Sequence, residues 1–212
     1  MRHTPGYVTT DPEEVKRLIR SNSWATIVSH TSTGLVASHY PVVLVENEDD
    51  IVIVSHVGRP DEKLHELGEH EILVIIQGPH GYISPGWYDE GDIIPTWNHV
   101  TAHLYGTPEI LSDEENFRVL GELVDYFEES MPHPVSLELD EESSRRIAKG
   151  TVGIRLRVTR FDARLKLSQN KPPEVVDRIM SELQAGENYA NPALAREMSR
   201  VHGDNQGHDA AR

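Results

Sequence analysis

Four runs of β-forming residues between Trp24 and Ile76 limit the fold of this chain more than any other feature. Trp24 to His30 and Leu35 to Val45 come first, the second ending in Val42-Val43-Leu44-Val45. Ile51 to Ser55 and Ile72 to Ile76 follow. The acidic string Glu46-Asn47-Glu48-Asp49-Asp50 between the second and third runs reads as a hairpin turn. Strands joined by turns this short pair antiparallel, whereas parallel neighbours need long crossovers. Thr151 to Asp162 alternates like one further strand, and Asn98 to Ile110 reads as another.

Helices fall between and after these strands. Asp11-Pro12-Glu13-Glu14 places an N-cap, a first-turn proline and an early carboxylate in the order a helix start needs, predicting a helix to about Ser21. Pro60 to Gly68 reads as a short helix stopped by glycine. Ser112-Asp113-Glu114-Glu115 is a capping box that opens a helix to about Ser130. Asp140 to Lys149, Pro173 to Gln184 and Asn191 to Val201 complete the set. Residues 78–106 hold Pro79, Pro85, Pro95 and five glycines, so they read as a long ordered loop. The pattern predicts an α+β fold with a small antiparallel barrel and peripheral helices, not a βαβ alternation. It forms one domain over 1–202, with C-terminal helices from about 173, and the polar segment 203–212 is expected to be disordered.

Composition narrows function. Cysteine is absent, which excludes disulfides, thiolate metal sites and cysteine nucleophiles. No apolar run approaches the ~20 residues of a membrane span, and Met1 to Gly6 lacks the apolar core of a signal peptide. A cytoplasmic chain without membrane contact is the expectation. The net charge of −15 disfavours direct binding to a phosphate polymer.

Twelve histidines are present, eight of them from His30 to His103. His99 and His103 would share a metal on a helix, but along a strand four residues span about 13 Å, so polar lining of a pocket or interface is the better reading and no metal site is expected. No G-x-S-x-G elbow, Walker A or G-x-G-x-x-G motif occurs. The string Ser55-His56-Val57-Gly58-Arg59-Pro60-Asp61-Glu62-Lys63 stands out in so acidic a chain. It offers a hydroxyl, an imidazole, a guanidinium and an ammonium at a strand end, a set that suits a phosphate; an ordinary solvated loop is the alternative. The aromatic stretch with Tyr82, Trp87, Tyr88 and Trp97 could wall a flat ring or simply pack a core.

Several long strings resemble the PaiB family, described as FMN-binding negative transcriptional regulators. They are Gly78-Pro79-His80-Gly81-Tyr82-Ile83-Ser84-Pro85-Gly86-Trp87-Tyr88, Pro95-Thr96-Trp97-Asn98, His103-Leu104-Tyr105-Gly106 and Lys166-Leu167-Ser168-Gln169-Asn170-Lys171. Thr4-Pro5 and Ala37-Ser38-His39-Tyr40-Pro41 are similar too. His99 stands where the family usually has tyrosine, and Gly81 where it usually has another small residue. The resemblance implies a Greek-key-like split β-barrel related to pyridoxamine 5'-phosphate oxidase, a homodimer with FMN at the subunit interface. It places the phosphate on Ser55 to Lys63, with Arg59 and Lys63 as its cations. It runs Ser38, His39, Tyr40 and Pro41 beside the ring, with Thr101 and His103 near its polar edge. His39, His56 or His103 could donate to flavin oxygens or hold a substrate; Trp87 and Trp97 would shape the cavity, and Lys166 and Gln169 are further candidate contacts. Three functions follow: a flavin-dependent oxidoreductase with a small-molecule substrate or electron donor, a non-enzymatic regulator loaded with flavin, and a haem-binding or haem-degrading protein using a histidine ligand. No basic recognition helix supports direct DNA binding.

Overall fold

A computed structural model of the chain describes residues 4–209, with side chains as far as Gly203. Nine strands and six α-helices are present among them. The strands are β1 (Val8–Thr9), β2 (Trp24–Thr31), β3 (Gly34–Leu44), β4 (Val52–Gly58), β5 (Ile72–Ile83), β6 (Thr96–Gly106), β7 (Glu109–Ile110), β8 (Thr151–Arg157) and β9 (Arg160–Lys166). The helices are α1 (Pro12–Ser21), α2 (Arg59–Leu64), α3 (Asp113–Glu128), α4 (Glu141–Ala148), α5 (Pro173–Ala185) and α6 (Pro192–Asp209). Hydrogen-bonded neighbours follow the order β1-β9-β6-β5-β2-β3-β4-β8-β7. The registered pairs are antiparallel, as the short turns require.

The chain divides into two compact units interleaved in sequence. One comprises 11–77 with 102–162, and the other, among the described residues, 4–10, 78–101 and 163–209. In the larger unit, β2 and β3 form a long hairpin from Trp24↔Pro41 to Thr31↔Gly34. β4 pairs β8 over seven residues. Val54 of β4 packs with Leu111, Val119 and Leu123, the last two on the inner face of α3. Burying each such side chain contributes roughly 1.5–3 kcal/mol. In the smaller unit Leu167, Ile179, Leu183, Leu194 and Met198 are fully buried, and they join α5 and α6 to the chain after β9.

Local signals hold well at the helix starts. Asp11 accepts the Glu13 N–H at 2.9 Å, and the Ser112–Glu115 box is closed in both directions. Other boundaries move. The loop expected over 78–106 shrinks, because β5 continues to Ile83 and β6 starts at Thr96. Pro79 lies beyond the last registered β2 pair, Ala25↔Ile76, so its missing N–H removes no bond to β2. The single strand expected over 151–162 is two strands. At Thr159 the backbone N–H turns to Tyr105 O of β6, leaving the β4 partner, while the apolar alternation runs on without a mark. α2 ends at Leu64, four residues before Gly68, whose φ of +89° serves the following turn. α6 extends to Asp209, past the start of the expected disordered tail; adding turns to an anchored helix is cheap once a nucleus exists. Residues 210–212 of that tail lie outside the described residues.

Gly106 illustrates how tightly the larger unit closes. A Cβ there would lie 2.6 Å from Arg157 O and 2.9 Å from Leu156 Cδ1. Gly106→Ala is expected to cost about 1–3 kcal/mol, the usual price of forcing one extra carbon into a packed site, read as a lower urea midpoint at unchanged slope.

Candidate functional site

The strand-end segment of the larger unit is held by an unbroken hydrogen-bond chain. Tyr40 OH and Ser38 Oγ, alternate residues on one face of β3, both donate to Asp61 Oδ2, at 2.7 and 3.0 Å. The Gly58 N–H donates to Tyr40 OH at 3.1 Å. Behind Ser38 stands His65, 1% exposed, with Nε2 3.0 Å from Ser38 Oγ and Nδ1 2.8 Å from Ser29 Oγ. Since the Ser38 proton goes to Asp61, His65 Nε2–H must donate to Ser38 and Nδ1 must accept from Ser29. Burial pushes the His65 pKa down, with Asp61 opposing and His70 adding to the fall, so the ring is held neutral. Tyr40 is pushed up by burial and by its bond to Asp61.

His56, on β4, presents its ring edge to Tyr40, with centroids 6.4 Å apart. Its Nδ1 is buried and has no hydrogen-bond partner among the described residues. Burial lowers its pKa as well. Of the two cations next to it, one is already engaged within the chain. Arg59 Nη2 pairs with Asp113 at 2.9 Å, and its Nε donates to Lys149 O at 2.5 Å. Lys63 lies one turn further along α2, exposed and without an ion pair among the described residues. Ser55 faces inward, donating to Pro41 O at 2.6 Å, so that hydroxyl and that carbonyl are engaged with each other. His39 is exposed and stacks on Trp24. His103 is half-buried on β6.

The smaller unit gathers a second set. Trp97 is 56% exposed, stacks on His80 and meets the edge of Tyr82. Lys166 Nζ donates to Trp97 O at 2.9 Å and to Thr96 Oγ1. Thr101 Oγ1 lies 3.4 Å from His99 Nδ1. His99 is held neutral by burial, reinforced by the charges of Lys166 and Arg164. Beneath them Asn98 and Ser168, both buried, bond to each other. Gln169 folds back on its own turn, accepting from Leu167 N at 2.7 Å and donating to Leu165 O, which makes it a local brace. Trp87 sits in the short turn after Ser84, its carbonyl accepting from Arg178 Nε.

Sequence reading missed the Asp61, His65 and Ser29 members of the first network. Asp61 lay inside the string singled out, unread between two cations; Ser29 and His65 are 36 residues apart with no motif to join them. It also passed over Arg164, a buried cation on a strand the alternation did not resolve.

Residues 1–160 match the family model described as "Putative FMN-binding domain". The chain is 31% identical over 185 residues to "Protease synthase and sporulation protein PAI 2" of Bacillus subtilis, a match covering 86% of this chain and 88% of that protein. Two solved structures share the fold. The FAD and haem binding protein from Mycobacterium smegmatis aligns with a TM-score of 0.58 at 17% identity, over 81% of this chain and 79% of that one. The flavocytochrome Anf3 from Azotobacter vinelandii aligns with a TM-score of 0.58 at 14% identity, over 78% and 72%. With the strings centred on Trp97 and on Lys166 to Lys171, these matches establish that the chain belongs to the PaiB family of FMN-binding split-barrel proteins.

Proposed function

We propose that this chain binds FMN and uses it for redox chemistry as a homodimer. The observation that carries the reading is the buried Nδ1 of His56, without a partner among the described residues, at a strand end flanked by Arg59 and Lys63. A neutral buried imidazole lacking a partner suits a polar ligand atom, and exposed Lys63, beside an Arg59 whose carboxylate partner Asp113 is itself largely exposed, offers an anion two cations one helical turn apart. A phosphorylated polyol attached to a flat ring supplies both, and FMN is the ligand in the description of this family. Bound FMN would supply the capacity to take up and return one or two electrons.

The protein's own part is to hold and orient. Arg59 and Lys63 take the phosphate, His56 takes a hydroxyl or ring atom, and Ser38 with Tyr40 fixes the wall beside them through Asp61. A second copy completes the enclosure of the ring. His65 acts through Ser38, as a positioning residue.

Visible absorption of the full-length protein titrated with FMN tests this. Two broad flavin bands saturating at one FMN per chain, and a dimer by sedimentation, are expected. A sharp Soret band with no flavin uptake would give the site to haem instead. Oxidation of reduced nicotinamide above the rate of free FMN would establish the redox role. A flavin-loaded dimer with no turnover would favour the regulatory reading.

A further inference from the structure

The smaller unit carries an open cavity of about 770 Å³ that the flavin reading above leaves unused. That volume is in the range of small-molecule sites. Among the described residues, its charged side chains are Arg164, Lys166, Lys171 and Asp92. Three cations against one carboxylate reverse locally the sign of a chain whose net charge is −15.

The one carboxylate is already taken. Asp92 pairs with Lys171, whose ammonium also stands 4.0 Å from the centre of the Tyr88 ring. Lys166 is left without a counter-charge. Its two acceptors, Thr96 Oγ1 and Trp97 O, are neutral, and no carboxylate pairs with it among the described residues. An ammonium has three N–H donors, so the third is unassigned. Burial alone pushes the Lys166 pKa down, the mark of a cation held partly out of water with nothing to neutralise it. Tyr88 adds a second unmet group. The residue is 9% exposed, it lines the cavity, and its hydroxyl is buried with no partner among the described residues. Trp97 and Ile94 supply apolar wall.

We propose that this cavity is a second binding site, for a small aromatic carboxylate, with Lys166 as counter-ion, Tyr88 OH as hydrogen-bond donor and Trp97 as wall. The proposal reassigns Trp97 and Lys166, which the family resemblance places with the flavin. It stands independently of the FMN site at Arg59 and Lys63. The carboxylate meets the third Lys166 N–H and the Tyr88 hydroxyl, and the ring replaces water against Trp97. The size of the cavity admits one or two fused rings.

The probe is 2-naphthoate, titrated calorimetrically into the full-length protein with and without saturating FMN. One naphthoate per chain is expected, with uncharged 2-naphthamide binding at least tenfold more weakly. Lys166→Met is expected to weaken naphthoate at least tenfold and Lys166→Arg to retain it, and Tyr88→Phe is expected to weaken it several-fold. Arg59→Ala/Lys63→Ala should leave naphthoate binding unchanged while flavin uptake falls, which separates failure of one site from failure of the other. The amide comparison uses the unaltered chain and decides the matter even if Lys166→Met does not fold. Absence of naphthoate binding, equal affinity for the amide, or displacement of naphthoate by stoichiometric FMN would each overturn the proposal, the last by giving the cavity to the flavin.

Discussion

Replacing His65 with leucine is expected to lower stability by about 2–4 kcal/mol and to flatten the pH dependence of what remains. Leucine fills most of the space of the imidazole, so a cavity is not the main cost. The cost is polar. Ser29, 1% exposed, loses the acceptor for its hydroxyl, and Ser38 loses the donor that anchors its oxygen. Each buried polar group left unmet costs about 1–3 kcal/mol. The pH effect follows from the direction of the shift. Burial holds the folded-state pKa of His65 below its unfolded value of about 6.5. Above that value neither state binds the proton and the network is at full strength. As pH falls through it, the unfolded chain takes up a proton that the folded chain refuses, and stability drops until the folded pKa is reached. One such group gives a slope of at most about 1.4 kcal/mol per pH unit. Urea midpoints of both proteins between pH 8 and pH 5 check this. The wild type should lose stability toward pH 5 and the variant should lose less, the residual slope belonging to His56 and His99, whose pKa values burial also lowers. The window is separable from that of the carboxylates: Glu46, held down mainly by its hydrogen bond to Arg20, loses its contribution only as pH falls below about 4.3. Parallel curves for the two proteins would remove His65 from the account.

The parts of this structure legible from sequence are those decided within a few residues. Asp11 caps α1 through a bond to Glu13, two positions away, and Ser112 with Glu115 closes a box within one turn. The four early strands were visible because alternation and turn chemistry are equally local. Pro79 misled because its effect depends on which neighbour a strand has at that point, and β2 has already ended there. The site shows the same limit more sharply. Arg59 and Lys63 stand out in sequence as two cations one helical turn apart, in a string that suits either a phosphate or an ordinary solvated loop. That Arg59 would meet Asp113, 54 positions away, was not legible there, because only the packing of α3 against β4 and β8 sets that distance. The long aromatic and Lys-Leu-Ser-Gln-Asn strings identified the family, and the structure then gave their residues separate tasks: Gln169 braces a turn, while Lys166 faces a cavity.

The largest effect on ligand binding is expected from Arg59→Ala combined with Lys63→Ala: FMN affinity should fall 100-fold or more at unchanged fold. A hydrogen bond to a charged group is worth about 1.5–3 kcal/mol, and each 1.4 kcal/mol is a factor of about ten, so losing two such partners of a phosphate dianion reaches two decades even at the low end. Arg59 is already engaged, and this bears on the size of the effect rather than its sign. Asp113 is 85% exposed, so its pair with Arg59 is a surface ion pair worth only about 0–1 kcal/mol. On the proposed reading, a doubly charged phosphate held by Arg59 and Lys63 together would outcompete a single solvated carboxylate. The competition has its own consequence: Asp113→Asn, which leaves the Ser112 cap intact, should raise FMN affinity by up to about fivefold, the equivalent of that ion pair. Quenching of flavin fluorescence on titration reads all three proteins, and circular dichroism establishes that each is folded. A double variant that still binds FMN stoichiometrically, together with an Asp113→Asn variant no tighter than wild type, would mean that Arg59 serves only to tie α2 to α3 and that the phosphate lies elsewhere. Opposite shifts in the two variants would identify the guanidinium as the group for which the ligand and Asp113 compete.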